Sequence, residues 1–184
     1  TIGYTYETSH MLEKANLALN FAKNRKLTFK EYSNDLQLEH NIEENIKWTK
    51  IIKKAIKDNK VVPFFQPIFK DDDIVKYEAL IRIIDDNGSV ISPFFFLNIA
   101  KKNGDYKQLT KIMIEKSFKI FEQKSEKLSI NLSFEDIIKK DIVSFLKSKI
   151  YQYKMANKLI VELVESESID NFDLVNSFIQ DMRK

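Results

Sequence analysis

The chain has 184 residues, 43% of them hydrophobic and 12% aromatic, with a formal net charge of +3. That composition excludes a disordered tail and supports one domain or two small ones, while the absence of cysteine excludes disulfides and thiolate metal sites. No apolar run approaches the roughly 20 residues of a membrane helix, and arginine is confined to Arg25, Arg82 and Arg183, which argues against a nucleic-acid polymer as partner, since duplex surfaces draw on a dense basic stripe and arginine base contacts.

Residues 1–35 open with a β-type stretch from Ile2 to Tyr6. Met11, Leu12, Ala15, Leu19 and Ala22 fall at helical spacing and predict a helix over about 8–24. A second β-type stretch runs from Leu27 to Tyr32. Strand–helix–strand in so few residues cannot build a core alone and reads as the remnant of something larger. Residues 36–59 form one amphipathic helix, with Leu38, Ile42, Ile46, Thr49, Ile52 and Ile56 along its apolar stripe and Asp58-Asn59 at its end. Two readings stand for it: a linker helix docked on the next domain, or a helix that also pairs with a second chain and transmits a signal.

Residues 60–184 alternate strand and helix. Strands are expected at about 61–69, 74–84, 127–132 and 158–164. Lys70 to Asp73 is a link short enough for an antiparallel hairpin between the first two. Ser92-Pro93 reads as an N-cap followed by proline at the first helical position, and Gly104 closes that helix. A helix over about 105–124 carries Leu109, Ile112, Met113 and Ile120. Ser133 caps the next, with Ile138, Ile142, Phe145 and Leu146, and a last helix runs from about Ser166 to the end. The pattern is α/β, a parallel sheet or barrel begun irregularly by an antiparallel pair.

Within the second strand, Glu78, Leu80 and Arg82 share one face and Val75, Tyr77, Ala79, Ile81 and Ile83 the other. The pattern recurs: Asn131 lies in the third strand, and Glu162 is a lone acid in the fourth. Three successive strands thus carry an oxygen donor near the C-terminal end, where α/β folds build sites. With only His10 and His40 available, a metal has to sit on oxygen, which favours Mg²⁺, Mn²⁺ or Ca²⁺. Gln66 adds an amide, and Arg82 a guanidinium fork suited to phosphate. Taken singly, each residue has a plain structural reading: a strand glutamate paired with a lysine, or an asparagine capping a helix. Three glycines leave no phosphate-binding glycine loop.

These residues carry a resemblance. Phe65-Gln66-Pro67-Ile68 resembles the Y-Q-P-I opening of EAL domains, the bacterial cyclic-di-GMP phosphodiesterases, and Glu78-Ala79-Leu80-Ile81-Arg82 is similar to their E-A-L-x-R motif. Ser92-Pro93 with Phe95, Phe96, Ile99 and Ala100 resembles the next conserved segment, Ile130 to Ser133 the I-N-L-S strand, and Glu162 to Ser166 the E-L-T-E-S strand. The match spans residues 60–184. In residues 1–35, Ala15 to Leu19 and Ala22-Lys23 resemble the end of a GGDEF (diguanylate cyclase) domain.

The resemblance implies a partial TIM-type barrel with an antiparallel first strand pair, preceded by a linker helix and a short β-α-β remnant. It implies hydrolysis of cyclic-di-GMP to pGpG with two Mg²⁺ or Mn²⁺ ions. Glu78, Asn131 and Glu162 become expected metal ligands, and Gln66, Leu80, Arg82 and Pro93 expected substrate contacts. Two positions depart from the family pattern: Lys101 stands where a glutamate is usual, and Val164 where a threonine is. Because the chain stops at Lys184, where a fifth strand is expected, the expectation is an inactive fragment of an active parent, with a half-barrel that self-associates into a homo-oligomer. A degenerate EAL domain that binds cyclic-di-GMP or a protein without hydrolysis is the alternative. The expected location is the cytoplasm, with any membrane anchor of the parent upstream of Thr1.

Overall fold

A computed structural model describes residues 1–163 and 172–183. The chain divides into two compact units, Thr1–Lys50 and Ile51–Lys184.

In the first unit, β1 (Ile2–Tyr4) and β2 (Phe29–Glu31) pair in parallel, Ile2 opposite Phe29. Parallel strands need a crossover, and α1 (Met11–Asn24) supplies it. The helix passes so close to β1 that a Cβ on Gly3 would lie 2.1 Å from the Leu19 nitrogen. Ala18, Tyr32 and Leu36 form the buried cluster, with Leu17 and Phe21 against it. Leu36 comes from α2 (Asn34–Lys57). Farther along that helix Leu38, Ile42 and Ile46 are exposed, so the first half of the expected stripe has no cover among the described residues, whereas Ile52, within the second unit, is fully buried.

The second unit holds a mixed sheet. β3 (Val61–Lys70) and β4 (Asp73–Ile84) are antiparallel, with Gln66 opposite Glu78. Their loop is tight, and Asp71 takes the left-handed conformation at φ 54°. β5 (Val90–Ile91), too short to stand out as a strand in the sequence, pairs with the end of β4. α3 (Pro93–Asn103) has Ser92 as N-cap and Gly104 as left-handed C-cap at φ 78°, as Ser-Pro and glycine at those positions predict. α4 (Tyr106–Phe121) leads to β6 (Lys127–Leu132), parallel to β4. Then come α5 (Phe134–Ile138), α6 (Lys140–Gln152), β7 (Leu159–Leu163), parallel to β6, and α7 (Phe172–Met182). The sheet order is β3-β4-β6-β7.

One expectation is corrected. The helix after Ser133 is two helices, because Lys139 is extended at φ −84° and ψ 106° and breaks the hydrogen-bond ladder. The expected start of the last helix, about Ser166, lies outside the described residues.

The core occupies one face of the sheet. Ala79, Leu128, Ile130 and Leu132 meet Ile114, Phe118 and Phe121 of α4 and Leu146 of α6. Helix ends are closed by lysines as well as by glycine. The Lys158 ammonium donates to the carbonyls of Phe121 (2.5 Å), Glu122 (3.1 Å) and Lys124 (2.7 Å) at the end of α4. Lys116 donates to Asn59 (3.0 Å) and Val61 (2.5 Å) beyond the end of α2, and burial pulls its pKa down. A cation at a helix C-terminus satisfies free carbonyls and complements the dipole.

Candidate functional site

With the odd-numbered residues of β4 turned into the helices, the even-numbered ones must line the opposite face. Lys76, Glu78, Leu80 and Arg82 share it. Cross-strand pairs share a face, so Gln66, opposite Glu78, joins them from β3. Ser129, also in register with Glu78, joins from β6. Asn131, two residues beyond Ser129, is in register with Glu162 on β7. The structure therefore brings Gln66, Glu78, Asn131 and Glu162 onto one face of four neighbouring strands.

The polar groups on that face are paired. Asn131 Nδ2 donates to Glu78 Oε1 at 2.7 Å. Lys76 Nζ lies 2.5 Å from Glu162 Oε1, with both side chains half-buried. That ammonium, aided by Ser129, holds the Glu162 carboxyl below its ordinary pKa against the opposing effect of burial. Ser129 is fully buried and donates to the Tyr77 carbonyl at 3.4 Å. Arg82 turns Nη1 back to the Ile81 carbonyl at 2.8 Å and lies 5.8 Å from the Phe64 ring centre.

At the C-terminal ends of β4 and β6, where α3 and α4 meet the sheet, a cavity of about 290 Å³ opens. Leu80, Arg82, Pro93 and Asn131 line it, joined by Lys101 and Tyr106. Glu78, Gln66 and Glu162 stand apart from its wall, Gln66 in an exposed position. Ser133, in the cavity wall, forms a reciprocal capping box with Asp136 at the start of α5. Asp136 Oδ2 accepts from Ser133 N at 2.9 Å and Ser133 Oγ at 2.8 Å, and Thr110 Oγ1 donates to Oδ1 at 3.3 Å. Burial, and then the nearby Asp136, pushes the Tyr106 hydroxyl up to about 12.

Two carboxylates and an amide on adjacent strands form a hard oxygen donor set, which suits Mg²⁺ or Mn²⁺. Among the described residues no cluster of three histidine, cysteine or acidic side chains forms, so an ion here depends on the Asn131 amide. The amide offers Oδ1 after a half-turn of the group it now donates from. Sequence reasoning missed Lys76, although its place two residues before Glu78 puts it on the same face. It also missed Tyr106 and Thr110, whose helical positions carry no comparable signal.

Comparison with known proteins follows the same lines. The sequence model of the EAL domain family matches residues 49–184. The signaling protein YkoW of Bacillus subtilis (strain 168) is 28% identical over 172 residues, 89% of this chain and 21% of YkoW, so the chain spans about a fifth of that relative. Among solved structures, the PaMucR phosphodiesterase in complex with c-di-GMP superposes with TM-score 0.68 at 18% identity, over 74% of this chain and 59% of that one. The S helix-GGDEF-EAL portion of LapD from Vibrio cholerae, bound to c-di-GMP, superposes with TM-score 0.65 at 16% identity, over 97% of this chain and 45% of that one. The structural likenesses speak for a shared fold, and among the described residues no helix is long and apolar enough to cross a membrane. Sheet order, the acid–amide–acid face and the match over residues 49–184 lead to one assignment: the chain belongs to the EAL domain family.

Proposed function

We propose that the protein binds cyclic-di-GMP on the face and cavity that carry Glu78, Asn131, Glu162 and Arg82, and that the whole protein hydrolyses one phosphodiester of it to give linear pGpG. The observation that carries this reading is the placement of Glu78, Asn131 and Glu162 on one face of three adjacent strands, with Arg82 on the same face. Family membership and the c-di-GMP complexes among its structural neighbours support it.

In this reading Arg82 releases the Ile81 carbonyl and forks onto a substrate phosphate, a geometry lysine cannot copy. Leu80 and Pro93 give the apolar wall for a base, and Gln66 offers an amide across from Glu78. Glu78, Asn131 and Glu162 hold the ions. A bound Mg²⁺ or Mn²⁺ supplies an acidified water and neutralises charge on the phosphoryl oxygens. The same proposal takes residues 60–184 as part of a TIM-type barrel, 36–59 as a linker helix and 1–35 as the end of a GGDEF domain, consistent with the extent of the LapD superposition.

The test is to incubate the whole protein with Mg²⁺ or Mn²⁺ and cyclic-di-GMP and follow pGpG by chromatography, with binding measured by calorimetry. Arg82→Met should weaken binding about tenfold or more, the scale of a lost charge-assisted bidentate contact. No binding by the wild type would defeat the proposal. The pairing of Glu162 with Lys76 favours a second reading, a receptor that does not hydrolyse. Binding without product would select it.

A further inference from the structure

We propose that Lys76 is a tethered counter-ion of the acidic face, which occupies Glu162 until a dication displaces it and so sets the metal concentration at which the site fills. The inference rests on the metal-binding reading above. Both carboxylates of the face are held by a donor of the protein itself, Glu78 by Asn131 and Glu162 by Lys76. The two donors differ in kind. Asn131 carries an acceptor oxygen as well, so it can exchange its role and become a ligand. Lys76 has three N–H donors and no lone pair, so it can only compete with a cation and be repelled by it.

The placement is built into the strand. Lys76 stands two residues before Glu78, which fixes it on the same face. It spans β6 to reach a residue 86 positions away in sequence. Ser129, on the intervening strand, lies beside the Glu162 carboxylate and helps to stabilise its charged form. Without Lys76 the face would present two uncompensated carboxylates to an incoming dication; with it, half that charge is already neutralised. Binding of the ion and docking of Lys76 on Glu162 are mutually exclusive, and their coupling is reciprocal.

The experiment titrates the whole protein with Mn²⁺ and reads free Mn²⁺ by its electron paramagnetic resonance signal, without substrate. Lys76→Met and Lys76→Gln should bind Mn²⁺ about tenfold more tightly or better, the scale of removing one like charge from a half-exposed site. Lys76→Arg should stay within threefold of the wild type. Lys53→Met, with the same loss of net charge on an exposed helix position, should leave affinity unchanged. Glu162→Gln should weaken binding. Equal affinities for wild type, Lys76→Met and Lys76→Gln, with Glu162→Gln still weaker, would overturn the counter-ion role alone. Absence of Mn²⁺ binding in wild type and both neutral variants would overturn this role and the metal-binding reading together.

Discussion

The capping box at the cavity wall makes a quantitative demand on Asp136. Its carboxyl accepts from Ser133 N, Ser133 Oγ and Thr110 Oγ1 at 2.9, 2.8 and 3.3 Å. Asp136 is 1% exposed and Ser133 3%, so water cannot replace those bonds in Asp136→Ala. Thr110 Oγ1 keeps a bond to the Tyr106 carbonyl at 3.2 Å, but Ser133 N is left with no acceptor. A buried orphan of that kind costs about 1–3 kcal/mol, and the lost half of the capping box about 1 kcal/mol. Alanine also removes the desolvation cost of the carboxyl, so the net expectation is about 2 kcal/mol. Asp136→Asn keeps an oxygen for Ser133 N and turns an amide toward Thr110 Oγ1, which can accept; it should cost about 1 kcal/mol. Urea unfolding followed by far-UV circular dichroism measures both. An alanine variant as stable as wild type, or an asparagine variant as costly as alanine, would refute the reasoning. Ser133 follows Asn131 by two residues, so Asp136→Ala should also weaken the proposed binding of cyclic-di-GMP.

Other expectations concern the two units separately. Gly3→Ala sets a Cβ against the backbone of Leu19 rather than a movable side chain; it should destabilise the first unit by about 1–3 kcal/mol or more, seen as an earlier thermal transition, and an unchanged melt would contradict the close approach. Phe118→Ala empties a fully buried ring position in the second unit and should cost about 3–5 kcal/mol by denaturant titration. Hydrogen bonds from Lys54 and Lys60 hold the Asp86 carboxyl at about 2 against an ordinary 3.8. A lowered pKa contributes stability that is present above the ordinary value and lost as pH falls through the folded one. Asp86→Asn should therefore flatten the pH dependence of stability between about 4 and 2, and an acid limb identical to wild type would show that the pair contributes nothing.

Much of this was readable from the chain. The period-two alternation of β4 placed Glu78 and Arg82 together, because a strand with one apolar face leaves its even residues no choice. Ser92, Pro93 and Gly104 marked the limits of α3 because capping chemistry is local. Other features were not legible. The break at Lys139 lies in a stretch whose apolar spacing continues unbroken, and nothing local marks an extended residue there. The uncovered Leu38, Ile42 and Ile46 look in sequence like the buried Ile52, since periodicity reports which residues share a face and not whether anything covers it. Lys76 was passed over because a lysine in a strand usually means solvent, and its partner lies on a strand that only tertiary folding brings near.

Lys158 closes α4 with one amine, and this gives the molecule a chemical memory of having unfolded. Folded, the half-exposed ammonium is tied to three carbonyls and so reacts more slowly with acylating reagents. Unfolded, the amine is free, and cyanate in aged urea or an amine-directed ester converts it to a neutral, bulkier group that cannot re-enter the carbonyl ring. Mass spectrometry of that single lysine would count the molecules that have opened, and preparations refolded from old urea would lose yield in proportion to its modification.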